Sequence, residues 1–406
     1  MDEAAGVGNP LFVTARVRVG LHTQEEFAEA FEARARTLGL SLGISVRQVQ
    51  RWESVRPGWP NRAARTVLVE LLGATLEDLG FVRPTRPTGR RPLPASDGDP
   101  ASSQLTVLRD TLDDAARADS LLGPRESLPR VLGILTDLAT AARHADQPLR
   151  RELLLLGARA AEFAAWLYRD SDAPAEHTAY WHDRAVEFAT MGGDGALHGY
   201  VLLRKAQAAD DDPARMRDLA HAAHAGPWSL PLRPKAEALQ QEARALALTG
   251  VRGDPIDRLL DQAHEAIVAA SPPAGPATCT GPLGDAYTLE RLMAQSALCH
   301  RESGQAARSV EEFRSCLASA TFGPRDRAFF TAALSGALAG ANEPDEAALA
   351  GLDALAIAAG AGFGRALAEL DRTSDLLASH SRRPAVRQLR QALRAARLPA
   401  PRTATP

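Results

Sequence analysis

The chain has 406 residues, 47 Lys and Arg against 50 Asp and Glu, and a formal net charge of -3. This near-balance gives no global reason to expect binding to nucleic acid or to a membrane surface, so any electrostatic footprint must be local. Alanine, leucine and arginine dominate while aromatic residues make up only 5% of the chain, a composition that predicts an all-α architecture.

Residues 1–10 are acidic and lack the basic start and apolar run of a signal peptide. No stretch approaches the roughly 18 uninterrupted apolar residues of a membrane span. The expectation is a cytoplasmic protein with no membrane contact.

A first zone, residues 1–83, is expected to form one small helical domain. Thr23 followed by Gln24-Glu25-Glu26 predicts a capping box that opens a helix, with Phe27, Phe31 and Leu38 on its apolar stripe. Gly39 stands where two helices need a small residue to approach, and Gly43 at a turn that favours a left-handed backbone. Ser45 is then an N-cap, and Ile44, Val49 and Trp52 give the next helix a buried face. Its opposite face carries Arg47, Gln48, Gln50 and Arg51. Pro60 is expected to start a last helix through Val67, Leu68, Leu71 and Leu72, with a closing helix over Leu72-Gly73-Ala74-Thr75-Leu76-Glu77-Asp78-Leu79.

A short helix lined with Arg and Gln suits the major groove, where Arg pairs with guanine edges and Gln with adenine edges. The segment Ser45-Val-Arg-Gln-Val-Gln-Arg-Trp-Glu53 resembles the recognition helix of helix-turn-helix transcriptional regulators. Arg47, Arg51, Arg56, Arg62 and Arg65 face only Glu53 within residues 47–65, the footprint expected for phosphate contacts. The DNA-binding set is therefore Ser45, Arg47, Gln48, Gln50, Arg51, Arg56 and Arg62. Arg47 and Gln48 are expected on base edges, Arg51 on a base or a phosphate, and Arg56 and Arg62 on the backbone. A solvated helix face is the alternative.

Residues 84–103, with Pro84, Pro87, Pro92, Pro94 and Pro100, read as an extended linker whose first half is basic. Residues 104–398 fall into amphipathic helical stretches separated by Gly, Pro or Asp. They pair as 151–169 with 177–191, 196–209 with 213–225, 234–248 with 255–270, 287–302 with 306–320, and 325–339 with 344–359. Small residues such as Ala160, Ala164, Ala243, Ala297 and Ala333 recur at packing positions. Helix pairs at roughly 35 to 45 residues predict an α-solenoid, and residues 399–406 a disordered tail. Trp166-Leu167-Tyr168 with Trp181, Ala185 and Phe188 resembles a degenerate tetratricopeptide repeat.

Together the zones resemble a class of actinobacterial regulators with an N-terminal helix-turn-helix domain and a C-terminal tetratricopeptide-like array. Gly58-Trp59-Pro60 and Leu79-Gly80-Phe81 add to the N-terminal likeness, and Tyr180-Trp-His-Asp-Arg-Ala185 and Leu203-Arg-Lys-Ala206 to the C-terminal one. The chain departs from the better-known repressor pattern before Leu38, where a first helix with paired arginines is not evident. The resemblance implies double-stranded DNA as partner, a homodimer, and a peptide or small-molecule effector or protein partner in the repeat groove. A more distant likeness is to regulators that bind a signalling oligopeptide inside their repeats.

In the repeat domain Trp166, Tyr200, Arg204 and Gln241 are the candidate ligand contacts, with Gln240 and Arg244 weaker. The competing reading for the aromatics is core packing, and for Arg204 an internal ion pair with an acid such as Glu187. His221 and His224 share a helical face, but no carboxylate or thiol stands near them in sequence, so they read as surface histidines and no metal is expected. Cys279, Cys299 and Cys316 lack ligand-like spacing and read as free thiols. Arg252-Gly253-Asp254 reads as a tight turn into a helix, with Asp254 as its cap. Walker, GxSxG, HExxH and strand-flanked GxGxxG signatures are absent, so neither an enzyme nor a cofactor is expected. The rival class is a repeat scaffold with a helix-turn-helix that does not read DNA.

Overall fold

A computed structural model gives the fold. It describes residues 9–38, 40, 42–54, 57, 60, 62–76, 78–81, 100–171, 173–272, 277–319 and 321–397, with backbone only for 10, 62, 63 and 100–102. Among these residues every regular element is helical. The chain divides into two compact units, Met1–Asp97 and Gly98–Pro406.

The first unit holds α1 (Pro10–Arg18), α2 (Gln24–Thr37), α3 (Val46–Glu53) and α4 (Arg62–Leu72). Asn9 caps α1 by accepting the Phe12 N–H, and Pro10 takes the first helical position, where a missing N–H costs nothing. The sequence reading missed this helix, although the Asn-Pro pair is its start signal and Arg16 and Arg18 close it. The Thr23–Glu26 capping box is present at the start of α2, whose Phe27, Phe31 and Ala35 are buried. Phe12 anchors the core, with its ring centroid 5.2 Å from Phe27, 6.0 Å from Trp52 and 5.7 Å from Phe81.

Two expectations here change. α2 ends at Thr37 and α3 begins only at Val46, a longer connection than a tight turn, and Gly43 does not take a left-handed backbone. Gly39 lies outside the described residues. The helix expected after Leu72 is instead a break followed by a single turn. Gly73 has φ 60°, and Thr75 and Asp78 exchange side-chain hydrogen bonds that close that turn.

The second unit comprises α5 (Pro100–Leu122), α6 (Pro124–His144), α7 (Gln147–Asp170), α8 (Ala175–Met191), α9 (Gly195–Gln207), α10 (Pro213–Ala225) and α11 (Leu232–Leu248). It continues with α12 (Asp254–Ala269), α13 (Leu289–Glu302), α14 (Ala306–Leu317), α15 (Pro324–Gly340), α16 (Pro344–Ala361), α17 (Gly364–Leu376) and α18 (Pro384–Arg397). The linker expected over 84–103 ends early, because α5 already begins at Pro100; residues 82–99 and 398–406 lie outside the described set.

Each helix packs on the next in the chain, and every odd-numbered helix from α5 to α17 also touches the next odd one. The odd helices thus form a continuous inner layer. Ala160, Ala164, Ala243, Ala297 and Ala333 are fully buried, and side chains this small let backbones approach. Buried hydroxyls stitch successive helices: Ser127 Oγ donates to Ala115 O and Ser309 Oγ to Ala297 O, at 2.9 and 2.7 Å.

The inner layer closes on itself, since α15 touches α5 and α17 touches α7. At this seam Arg325 forms ion pairs with Asp119 and Asp170, and the Arg365 N–H donates to Asp170 Oδ1. No helix among the described residues is long and apolar enough to cross a membrane.

Candidate functional site

Two places carry chemistry, one in each unit. In the first, α3 presents two unlike faces. Val49 and Trp52 are buried, Ile44 is half-buried, and Arg47, Gln50 and Arg51 are exposed with Gln48 half-buried beside them. Ser45 is exposed and caps the helix, its Oγ accepting the Gln48 N–H at 3.3 Å. Arg47 and Arg51 stand one turn apart and have no ion-pair partner among the described residues. The side chains of Arg56 and Arg62 lie outside the described residues.

The orientation of α3 is fixed from α1. Asn9 Nδ2 donates to Trp52 O at 3.1 Å and to Leu79 O at 2.9 Å, and the Asn9 N–H donates to Glu53 O at 2.7 Å. Glu53, the acid within the basic window, turns inward. Its Oε1 takes Arg16 Nε at 2.6 Å and its Oε2 takes Gln24 Nε2 at 2.5 Å. Arg16 in turn donates to the carbonyls of Leu21 and His22. The exposed side of α3 is therefore left with its arginines uncompensated by Glu53.

In the second unit the inner layer lines a half-open cavity of about 420 Å³. Trp166 and Glu162 on α7, Tyr200 and Arg204 on α9, and Glu237 on α11 line it. It adjoins a narrower recess of about 40 Å³ lined by Gln240, Gln241, Arg244, Phe329 and Arg365. Trp166, Arg204, Glu237, Arg291 and Asp326 line both. All four sequence candidates, Trp166, Tyr200, Arg204 and Gln241, thus come to one place.

Arg204 does form an internal ion pair, but with Glu162 at 2.5 Å and not with Glu187. Glu187 sits one turn from Arg184 on α8 and pairs there, whereas Glu162 on α7 faces α9 across the inner layer. Arg204 also donates to Gln207 Oε1 and lies 4.9 Å from the Trp166 ring centre. Burial works against its charge, but Glu162 more than offsets this and Arg204 stays firmly protonated. Burial raises the Tyr200 hydroxyl well above its ordinary range, so it is a neutral donor.

Arg365 was not foreseen. Burial, with Arg169 adding repulsion, lowers its pKa to about 9. Its guanidinium lies 4.3 Å from the Phe329 ring centre and 5.3 Å from that of Trp166. Nothing in the sequence around Arg365 distinguishes it from the chain's many surface arginines.

His221 is a surface histidine as expected, whereas His224 is not. Glu242, from α11, completes the group: its Oε2 lies 2.5 Å from His224 Nε2, its Oε1 3.3 Å from His221 Nδ1, and His224 is largely buried. The trio's ligand atoms lie within 4.8 Å of one another, close enough to share a cation. Burial pushes the thiols of Cys279 and Cys299 up to about 12, which keeps both protonated and unreactive. The sequence matches no protein-family model, and a search of curated proteins returns no match.

Proposed function

We propose that this chain is a sequence-specific DNA-binding transcriptional regulator. Its first unit is a helix-turn-helix domain that places α3 in the major groove. Its second is a tetratricopeptide-like array that supplies a dimer surface, an effector site, or both. One observation carries the reading: α3 exposes Arg47, Gln50 and Arg51, with Gln48 beside them, while its acid Glu53 is turned away onto Arg16. Arg and Gln at these positions match the donors and acceptors on guanine and adenine edges. Ser45 at the N-cap leaves the first turn free to approach a phosphate.

A helix of 8 residues spans only a few base pairs, so affinity has to come from two copies on adjacent half-sites. An effector in the repeat array acts if it binds better when the two DNA-binding heads are held in one relative placement.

The test is selection of genomic fragments by the full-length protein at near-physiological salt, beside the double variant Arg47→Ala/Arg51→Ala. Enrichment of a discrete inverted-repeat motif that the variant loses by a hundredfold or more is the expected result. Equal, salt-sensitive retention by both proteins would exclude readout through α3.

The second reading, a protein-binding repeat scaffold, is favoured by the separation of α2, ending at Thr37, from α3, starting at Val46, which exceeds the three- or four-residue turn usual between such helices. Arg51→Glu separates the two: it abolishes chromatin association by a regulator and leaves the partner binding of a scaffold unchanged.

A further inference from the structure

Arg365 and Glu237 line the same recess, and each lacks a direct counter-ion among the described residues. The acids that act on Arg365 are already engaged. Asp210 is held by Arg169 and Arg244, and Asp170 by Arg325. The rings of Phe329 and Trp166 pack on the guanidinium, an arrangement that leaves in-plane N–H donors for a carboxylate. Glu237 is buried, and its carboxylate receives one neutral bond, from Gln207 Nε2 at 2.7 Å. Arg204 and Arg291 act on it from the same recess, but each is already paired, to Glu162 and to Asp326. Beside them Gln241 Nε2 and Gln240 Oε1, on two residues that line the recess, are a donor and an acceptor buried without a hydrogen-bond partner.

Buried charges and buried amides without partners are costly, and they recur where a ligand completes them. An inorganic anion would satisfy Arg365 and leave Glu237 as it is; a simple cation would do the reverse. A molecule with opposite charges at its two ends answers both. The volume of about 420 Å³ is of the size that takes a small organic ligand, and the recess of about 40 Å³ admits a head group.

We propose that this cavity binds a small zwitterion of the amino-acid class, its carboxylate on Arg365 in the recess and its ammonium on Glu237 at the junction with the main cavity. Gln241 donates to the carboxylate, and Gln240 accepts from the ammonium or a substituent. The proposal rests on reading this unit as the sensing half of a regulator, yet binding is measured without DNA. Failure of the DNA readout and failure of the ligand site are thus separate results.

The experiment is calorimetric titration of the full-length protein with the free α-amino acids and the ω-amino acids from β-alanine to 6-aminohexanoate. The expected result is saturable binding by at least one probe. Its methyl ester and its N-acetyl derivative should each bind at least tenfold more weakly. Arg365→Met should lose the free acid by tenfold or more while binding the methyl ester as the wild type does. Glu237→Gln should weaken the free amine but not the N-acetyl form, and it carries the same test through the other charge if Arg365→Met does not fold. Absence of saturable binding by every probe overturns the proposal. So does binding that is indifferent to esterification and acetylation, or that survives both substitutions.

Discussion

His182 is held neutral on α8, where burial, followed by the positive charges of Arg204, Arg169 and Lys205, lowers its pKa to about 3. In the unfolded chain the same imidazole takes a proton near pH 6.5. The unfolded state therefore binds more protons than the native state between these two values. The stability that comes from a neutral His182 is complete above pH 6.5 and is lost as the pH falls, by up to about 1.4 kcal/mol per pH unit. Denaturant titration at pH 7 and pH 5 should show the wild type losing stability, and His182→Gln should lose less over the same interval. Equal losses would place the pH dependence in other groups.

At the scale of elements, the first unit depends on a side chain that belongs to none of its helices. Asn9 caps α1 with its Oδ1, and its Nδ2 ties the end of α3 to the turn at Leu79. Gly80 is required beside it, because φ is 75° there and a Cβ would come within 2.3 Å of Asn9 Oδ1. Asn9→Ala strands buried carbonyls and the Phe12 N–H, and a loss of about 2–3 kcal/mol follows from the cost of unsatisfied buried groups. Hydrogen exchange in the full chain should then accelerate across α3 while the second unit is unchanged. Element boundaries in that second unit were legible. Pro213 and Pro344 mark helix starts in the sequence and in the fold, because a ring-fixed φ suits only that end of a helix. Asp254, expected as the cap of a helix from Pro255, is instead the first residue of α12, and Gly253 with φ 72° takes the N-cap without a side-chain bond. The α1 helix and the single turn after Gly73 were not foreseen. Both are short, and their ends are held by Asn9 and by the Thr75–Asp78 exchange rather than by an apolar period.

At the scale of the whole second unit, the closure of the inner layer rests on few groups. Arg325 joins Asp119 and Asp170, carboxylates that are themselves almost fully buried. Burial already raises the pKa of Asp170 despite the pull of Arg325 and Arg365. Arg325→Met would leave both acids without this partner, and breaking a buried network of this kind costs about 3–5 kcal/mol. The expected outcome is a lower thermal midpoint, with faster amide exchange in both α5 and α17, the helices on either side of the seam. Exchange confined to α15 would mean that the seam does not depend on Arg325.

The helical class, the apolar face of α3 and the run of helix pairs between residues 151 and 359 were written into the sequence, because each depends on neighbours within a few turns of one another. The likeness of Trp166, Tyr200, Arg204 and Gln241 as possible groove residues was also visible, as large or polar side chains on otherwise apolar helix faces. Their partners were not. Glu162 lies 42 residues from Arg204, Asp119 lies 206 from Arg325, and Glu53 meets Arg16 across 37. Periodicity reports which face of a helix is buried, but it carries no record of which distant helix covers that face. Only the tertiary structure decided that Glu53 leaves the exposed face of α3, and that Arg365 and Glu237 share a recess with no direct ion pair to either.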